Sequence, residues 1–339
     1  MNRTVVVVLV LVAAGWAAAQ ASTDPSPLTL EQALALAPDA SATVLSARAD
    51  LDAAQRSEAR VTADPASLRV DRVSAHNATV NAERALAAAR AGDRVSVASA
   101  YFDAGQADTA LSVAGLEVAI QQQTLKAEQA RLDAGAATDL DVAKAQNNLH
   151  AAEATLAKAT TDRALAFNTL ASLVGRAVGA TTGEVALPAL EPLDSYLQRA
   201  RQENAQLVAA NGAAALAQAQ LQAVDNDFSA RSTVQQAQDT LADAQRHVDE
   251  VQRTLDLSVK GAYANAQASA AALINARAAD ATAQDDLTAA QARLDAGVIS
   301  PLAFRSSQLT RLQASQALEV ALHTAVLRLY TLEQVVAGS

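Results

Sequence analysis

The fold of this chain is indicated by a stretch that occurs twice, first as Ala130-Arg131-Leu132-Asp133-Ala134-Gly135-Ala136 and again as Ala292-Arg293-Leu294-Asp295-Ala296-Gly297-Val298. The two glycines lie 162 residues apart, which is close to half of the 339-residue chain. The same spacing relates Val97 to Val259, Tyr101 to Tyr263 and Leu45 to Leu207. Internal similarity at a fixed spacing is typical of a duplicated structural unit. We therefore expect two equivalent units in tandem.

The composition favours long helices. Hydrophobic residues make up 51% of the chain, and many of them are alanine, which forms helices well but fills a core poorly. Aromatic residues amount to only 3%, too few for the interfacial girdles of a transmembrane β-barrel. The net charge of −10 argues against a nucleic-acid partner bound through its phosphates.

The N-terminus is predicted to be a signal peptide over residues 1–21, because Arg3 precedes an apolar run and Ala17-Ala18-Ala19 offers a cleavage site. A retained anchor is the alternative interpretation. The chain contains no cysteine, which excludes disulfides and thiolate metal sites. Since no later apolar run reaches the roughly 18 residues of a spanning helix, we expect an exported protein of the periplasm or outer membrane.

Proline and glycine divide the rest of the chain. Breaks are expected beside Pro65 and Gly135, and again at Asn226 and Gly297, which follow them at or near the repeat spacing. The predicted organisation is a linker over residues 22–27, a helical repeat over 28–175, an inter-repeat loop over 176–193 and a second helical repeat over 194–337.

Each repeat is predicted to be all-α, with a short, a long and a short helix running antiparallel. The expected helices cover 30–63, 66–132 and 139–174, then 194–225, 228–294 and 301–336. Two short helices are together about as long as one long helix, so they can stack end to end beside it as a rod of about 100 Å. Large apolar residues alternate with alanine at coiled-coil spacing from Val142 to Ala159. The pattern predicts long coiled-coil hairpins with little or no β structure.

The sequence contains no recognisable catalytic, metal-binding or phosphate-binding motif. The four histidines, His76, His150, His247 and His323, are far apart and are interpreted as surface residues of helices. No set of side chains can be assigned acid, base and nucleophile roles. We therefore expect neither an enzyme nor a bound cofactor or metal.

The two Arg-Leu-Asp-Ala-Gly turns are the most specific local signal. A glycine three residues after a helix's last leucine is typical of a left-handed helix stop, so each turn is at least a tight hairpin. Exposed tips on a rigid scaffold also suit partner docking. The candidate contact residues are Arg131, Leu132, Gly135, Arg293, Leu294 and Gly297.

These residues resemble the TolC family of outer-membrane efflux proteins. The resemblance rests on the turns, on Leu28 to Leu36, on Ala100-Tyr101, on Asp139-Leu140-Asp141-Val142 and on Leu170 to Gly175. It implies a homotrimer whose helices form a TolC-like α-barrel tunnel through the periplasm. It also implies a periplasmic adaptor at the hairpin tips, an inner-membrane pump, and a role for Asp141 at the tunnel mouth.

Two features depart from the family. The family inserts membrane strands where this chain has residues 60–95 and 222–257, and these windows show no alternating pattern. The acidic position at the mouth is Asp141 in the first repeat but Ala303 in the second. Two hypotheses follow: a passive efflux or secretion conduit subunit, or a helical periplasmic scaffold or spacer that does not conduct.

Overall fold

A computed structural model describes residues 27–182 and 185–338 of the chain. The predicted signal peptide, residues 1–21, lies outside the described residues, as does all but the last residue of the predicted linker. The described helices of the first unit are α1 Leu30–Leu36, α2 Ala42–Ala63, α3 Arg69–Asp133 and α4 Asp139–Val174. Those of the second unit are α5 Leu193–Glu203, α6 Ala205–Val224, α7 Arg231–Asp295 and α8 Pro301–Ala337.

The duplicated all-α fold is confirmed. Helices α3 and α7 each contain 65 residues, and they begin at Arg69 and Arg231, which are one repeat spacing apart. Within the described residues, β structure is limited to an isolated bridge between Leu28 and Thr181. The windows 60–95 and 222–257 consist there of helix ends, turns and the first part of each long helix.

The predicted short helices 30–63 and 194–225 are each divided in two. In the first unit the helix gives way to a 3-10 turn, Ala37–Asp39, that contains Pro38. Proline lacks the N–H that a continuing helix needs, so α2 starts afresh with Ser41 as its N-cap. The predicted starts of the long helices, residues 66 and 228, lie three residues before the observed starts at Arg69 and Arg231. The turns that precede these two residues are longer than predicted.

The second unit breaks at Asn204 for a different reason. This side chain is only 3% exposed and caps α6, its Oδ1 accepting hydrogen bonds of 3.1 Å from the N–H groups of Gln206 and Leu207. Its Nδ2 donates to the carbonyl of Val335 at 3.0 Å. The Asn204 amide therefore joins the start of α6 to the last turn of α8.

Asn204→Ala is expected to lower the free energy of unfolding by about 2 kcal/mol, because it removes a helix cap and leaves a buried carbonyl unpaired. Urea unfolding followed by circular dichroism measures this change. The matched control is Asn147→Ala at an exposed position of α4, where we expect a change within about 0.5 kcal/mol. Equal losses in the two variants would contradict the role given to Asn204.

The helices pack as a row of four columns. Helices α2 and α4 form the first column, α3 the second, α6 and α8 the third, and α7 the fourth. The long helix α3 packs against both neighbouring columns, whereas α7, within the described residues, packs mainly against α5, α6 and α8. The outer sides of α4 and α7 are therefore the two open edges of the row.

Two hydrophobic clusters lie near the ends of α4 and α8. The first surrounds Val97, Tyr101 and Leu170, and the second surrounds Val259 and Leu332. Leu170 and Leu332 occupy equivalent repeat positions, and both are fully buried. Among the helices of the described part, none is both long enough and apolar enough to cross a membrane.

Candidate functional site: the two hairpin tips

The first hairpin tip joins α3 to α4 through a left-handed glycine. Gly135 has a φ of 71°, and its N–H donates to the Leu132 carbonyl at 2.9 Å. The next N–H, of Ala136, donates to the Arg131 carbonyl at 2.7 Å. This pair of bonds is the Schellman arrangement that closes a helix C-terminus. The tip is therefore a defined turn that holds Arg131 and Leu132 at the end of the hairpin.

The second tip repeats this geometry. Gly297 has a φ of 70°, its N–H donates to the Leu294 carbonyl at 2.9 Å, and the Val298 N–H donates to the Arg293 carbonyl at 2.8 Å. A Cβ added at Gly135 or Gly297 would meet nothing within 4 Å. The positive φ alone therefore accounts for glycine at these two positions.

The six predicted contact residues share one pattern of exposure. Arg131 and Arg293 are exposed, Leu132 and Leu294 are partly buried, and both glycines are exposed. The Arg131 guanidinium pairs with Glu128 at 3.0 Å, whereas no ion pair involves Arg293 among the described residues. Each tip thus presents an accessible guanidinium beside a partly covered leucine.

Asp141 lies at the first tip, and its carboxylate is engaged locally. It accepts hydrogen bonds from the Thr138 hydroxyl at 2.7 Å and from the Thr138 N–H at 3.0 Å, which completes a capping box at the start of α4. The Thr138 hydroxyl and N–H lower the pKa of Asp141. With Arg131 and Lys144, Asp141 lines a polar groove between α3 and α4 of about 320 Å³.

The two tips differ in chemistry although their backbones match. In the second, Ser300 caps α8 with its hydroxyl 3.1 Å from the Ala303 N–H, and Pro301 follows. Val298, the counterpart of Ala136, is 72% exposed. The first tip therefore carries an acidic capping box, while the second carries an exposed valine and no acidic cap.

The prediction that all four histidines lie on the surface is wrong for His323. This ring packs between α8 and α3, stacked on Phe102 at 5.0 Å, with its Nδ1 2.8 Å from the Gln106 amide nitrogen. Burial lowers the pKa of His323. His76 is exposed and contacts Glu58 at 2.9 Å. The position of His323 in the helical repeat is compatible with either face of α8, so its burial cannot be predicted from the sequence.

Glu319 lies one helical turn before His323 and was also missed. Its carboxylate accepts a 2.7 Å hydrogen bond from the Thr109 hydroxyl of α3. Burial raises the pKa of Glu319, the Thr109 hydrogen bond lowers it, and the nearby Asp108 carboxylate raises it further. The α3 and α8 helices are therefore joined at this level by polar contacts, which a helix-face pattern alone does not identify.

Glu319→Gln is expected to raise stability at pH 8, because glutamine still accepts from Thr109 but carries no charge. A carboxyl whose folded pKa is raised stabilises the fold below its unfolded value of 4.5, and that stabilisation is lost as the pH rises through the folded pKa. The gain should therefore shrink as the pH falls towards 4. Thermal unfolding across this range measures it, with exposed Glu153→Gln as the control. A gain that is the same at every pH would contradict this account.

The hairpin tips have the geometry of a contact surface. The described residues contain no group of three or more His, Asp or Glu side chains that could hold a metal ion. The tips offer turns, guanidiniums and apolar side chains at the end of a long rod. Such an arrangement can present a contact surface at a fixed distance from the rest of the chain.

Comparisons with known proteins agree with this architecture. Residues 67–176, which contain α3 and α4, match the model of the family described as outer membrane efflux protein. No curated protein sequence matches the chain significantly.

Solved membrane proteins of three bacteria have a similar fold. The CmeC outer membrane channel of Campylobacter jejuni aligns with a TM-score of 0.66 at 11% identity, over 91% of this chain and 85% of that chain. The outer membrane protein VceC of Vibrio cholerae aligns with a TM-score of 0.63 at 16% identity, over 91% of this chain and 96% of that chain. A membrane protein from Pseudomonas aeruginosa aligns with a TM-score of 0.64 at 16% identity, over 91% of this chain and 90% of that chain.

The family match and the fold support each other. The match covers one hairpin, and the fold extends the likeness through both units. The family description also agrees with the expected location, exported to the outer membrane or periplasm. The resemblance seen in the sequence therefore agrees with the match of residues 67–176 to the outer membrane efflux protein model, and the fold of the described residues is that of the TolC-like channels.

Proposed function

We propose that this chain is one subunit of a trimeric efflux conduit, a passive periplasmic tunnel that works with an adaptor and an inner-membrane pump. The observation that carries the proposal is the row of four helical columns with two open edges, α4 and α7. If the α4 edge of one copy meets the α7 edge of the next, the contact is head-to-tail. Such a contact gives a closed ring when the rotation between successive copies adds up to a full turn. Three rows of four columns would give a tunnel wall of 12 helices.

Exposed residues on the two edges support this assembly. Leu165 of α4 is 66% exposed and lies five residues before the buried Leu170, which places it roughly 140° around the helix. Ala268 of α7 is exposed and lies five residues before the buried Leu273, again roughly 140° around. A large apolar side chain on one edge can therefore pack against a small one on the other.

The two edge positions also lie at matching heights. Leu165 follows the start of α4 at Asp139 by 26 residues, and Ala268 precedes the end of α7 at Asp295 by 27 residues. Because both distances run from a hairpin tip, the two side chains lie about 40 Å from that end. In the proposed ring, Leu165 of one copy faces Ala268 of the next.

Under the same proposal, the hairpin tips contact the adaptor. Arg131, Leu132 and Gly135 form one contact, and Arg293, Leu294 and Gly297 form the other. The accessible arginines and the defined turns favour this assignment. Asp141 would lie close to the tunnel mouth, where its carboxylate is already engaged by Thr138.

Cysteine cross-linking tests the ring directly, because the natural chain has no cysteine. Leu165→Cys combined with Ala268→Cys is expected to give covalent trimers under mild oxidation, seen by non-reducing electrophoresis. Leu165→Cys combined with Ala242→Cys is the control, because Ala242 is exposed on α7 but lies about 39 Å further along the helix. Only monomers from both pairs would refute the proposed ring.

The helical windows 60–95 and 222–257 favour a second candidate, a periplasmic scaffold or spacer that does not conduct. Cell fractionation separates the two candidates. Release with the soluble periplasm and no cross-linked trimer would support the spacer. Detergent-dependent extraction from the outer membrane together with cross-linked trimers would support the conduit.

A further inference from the structure

A cavity of about 470 Å³ lies beneath the loop that joins the two units. Loop residues 185–190 form one wall, α7 forms the second between Ala266 and Arg277, and α8 forms the third at Ala325 and Leu329. Pockets that bind small ligands commonly measure about 300–1,000 Å³. The cavity is therefore large enough to hold a small molecule.

The loop is fixed over this cavity on both sides. Val185 and Leu187 pack against the hydrophobic cluster around Val97, and Leu190 packs against the cluster around Val259. Both clusters are buried, so the two attachments hold the segment between them in place. The loop is therefore a defined wall that covers the groove between α7 and α8.

The cavity is elongated and apolar. Its α7 wall extends over 11 residues from Ala266 to Arg277, which is about 16 Å along the helix. Ala270 and Ala325 contribute short side chains and so leave space below the loop, while Ile274 at the rim is 66% exposed. An extended alkyl chain suits such a groove better than a compact solute does.

Arg277 places one positive charge at the end of the groove, and it is the only polar residue among the described residues that line the cavity. Its side chain is exposed and forms no ion pair within the part of the chain that the structure describes. Asp280, one turn further along α7, pairs with Arg311 at 2.6 Å. Glu191, at the end of the loop, lies 3.7 Å from Arg199. Because a guanidinium can bind a carboxylate through two parallel hydrogen bonds, the free charge favours an anionic head group.

We propose that this cavity binds a single-chain alkyl carboxylate, with its chain beneath the loop and its carboxylate on Arg277. Binding would cover the exposed Ile274 and the apolar walls, which favours the bound state. The site goes beyond the conduit proposal and requires neither an adaptor nor a pump. Arg277 lies nine residues after Ala268, roughly 180° around α7, so the proposed ring contact leaves the cavity accessible.

Titration calorimetry with decanoate tests this site. The purified full-length protein is kept in amphipol, so that no free detergent competes with the probe. Decanol and decyltrimethylammonium serve as uncharged and cationic probes with the same chain. We expect one decanoate per chain, bound at least about tenfold more tightly than decanol, because only the carboxylate gains charge-assisted hydrogen bonds.

Two variants separate the head-group contact from the chain contact. Arg277→Gln is expected to weaken decanoate binding at least about tenfold and to leave decanol binding unchanged. Ala270→Leu is expected to weaken the binding of both probes, because the larger side chain occupies the cavity. The matched controls, Arg253→Gln and Ala242→Leu, change exposed positions of α7 at least about 20 Å along the helix from the cavity. Circular dichroism verifies that all four variants remain folded.

Several results would overturn the proposed site: no saturable decanoate binding, equal affinity for the three probes, or unchanged decanoate binding by Arg277→Gln. If decanoate does not bind and Ala270→Leu abolishes the trimers cross-linked through residues 165 and 268, a second copy occupies the cavity instead. The same cross-linking tests the conduit independently. Trimers that form without decanoate binding would overturn the ligand site alone, and decanoate binding without trimers would overturn the ring alone.

Discussion

Reversing the charge of both tip arginines, Arg131→Glu together with Arg293→Glu, is expected to weaken adaptor binding at least about a hundredfold. Charged side chains in a docking interface commonly cost 2–5 kcal/mol when their contact is lost, and here two equivalent contacts are changed at once. Both guanidiniums are exposed, so the fold should tolerate the change. Co-purification of the tagged chain with a co-expressed periplasmic adaptor measures the loss.

The control for this experiment is Arg56→Glu, an exposed position on α2 far from both tips. It changes the net charge but should leave adaptor capture unaltered. The single variants add information because the tips differ: Arg131 is paired with Glu128, whereas Arg293 has no ion pair among the described residues. Of the two single variants, Arg293→Glu is expected to cause the larger loss of adaptor binding. Full adaptor capture by the double variant would contradict docking at these tips.

Much of the fold could be predicted from the sequence because the chain is duplicated. The repeated sequence around Gly135 and Gly297 predicts the positions of both hairpin turns, and glycine just after a helix predicts their left-handed geometry. The breaks at Pro38 and Asn204 were missed for opposite reasons. Pro38 is a local signal of the first break, because proline cannot continue a helix, whereas the role of Asn204 depends on Val335, which lies 131 residues away.

The candidate site was less predictable than the fold. Arg131 and Arg293 could be placed on exposed tips, because a tight turn at the end of a hairpin projects its neighbours into solvent. The burial of His323 and Glu319 could not be foreseen, since it depends on how α8 packs against α3. The open edges α4 and α7 likewise emerge only from the order of the columns. The sequence therefore predicts the turns of this chain, but it does not predict the contacts between its hairpins.

The two fully buried leucines at equivalent positions, Leu170 and Leu332, are expected to give the largest effects on stability. Each substitution to alanine should lower the free energy of unfolding by about 3 kcal/mol, within the usual range of 2–5 kcal/mol for a buried leucine. Leu170 belongs to the cluster that joins α1, α3, α4 and α8, and Leu332 to the cluster around α5 and α7. The two losses therefore report on two different clusters of one duplicated fold.

Urea unfolding of Leu170→Ala, Leu332→Ala and the double variant measures these losses. The control Leu140→Ala changes the same residue type on α4 at a side chain that is 62% exposed, and it should stay within about 0.5 kcal/mol of wild type. Because the leucines lie in separate clusters, their effects should add to within about 0.5 kcal/mol. Strong non-additivity would mean that the two clusters act as one core. A loss at Leu140 as large as that at Leu170 would contradict the view that burial of the side chain sets the size of these losses.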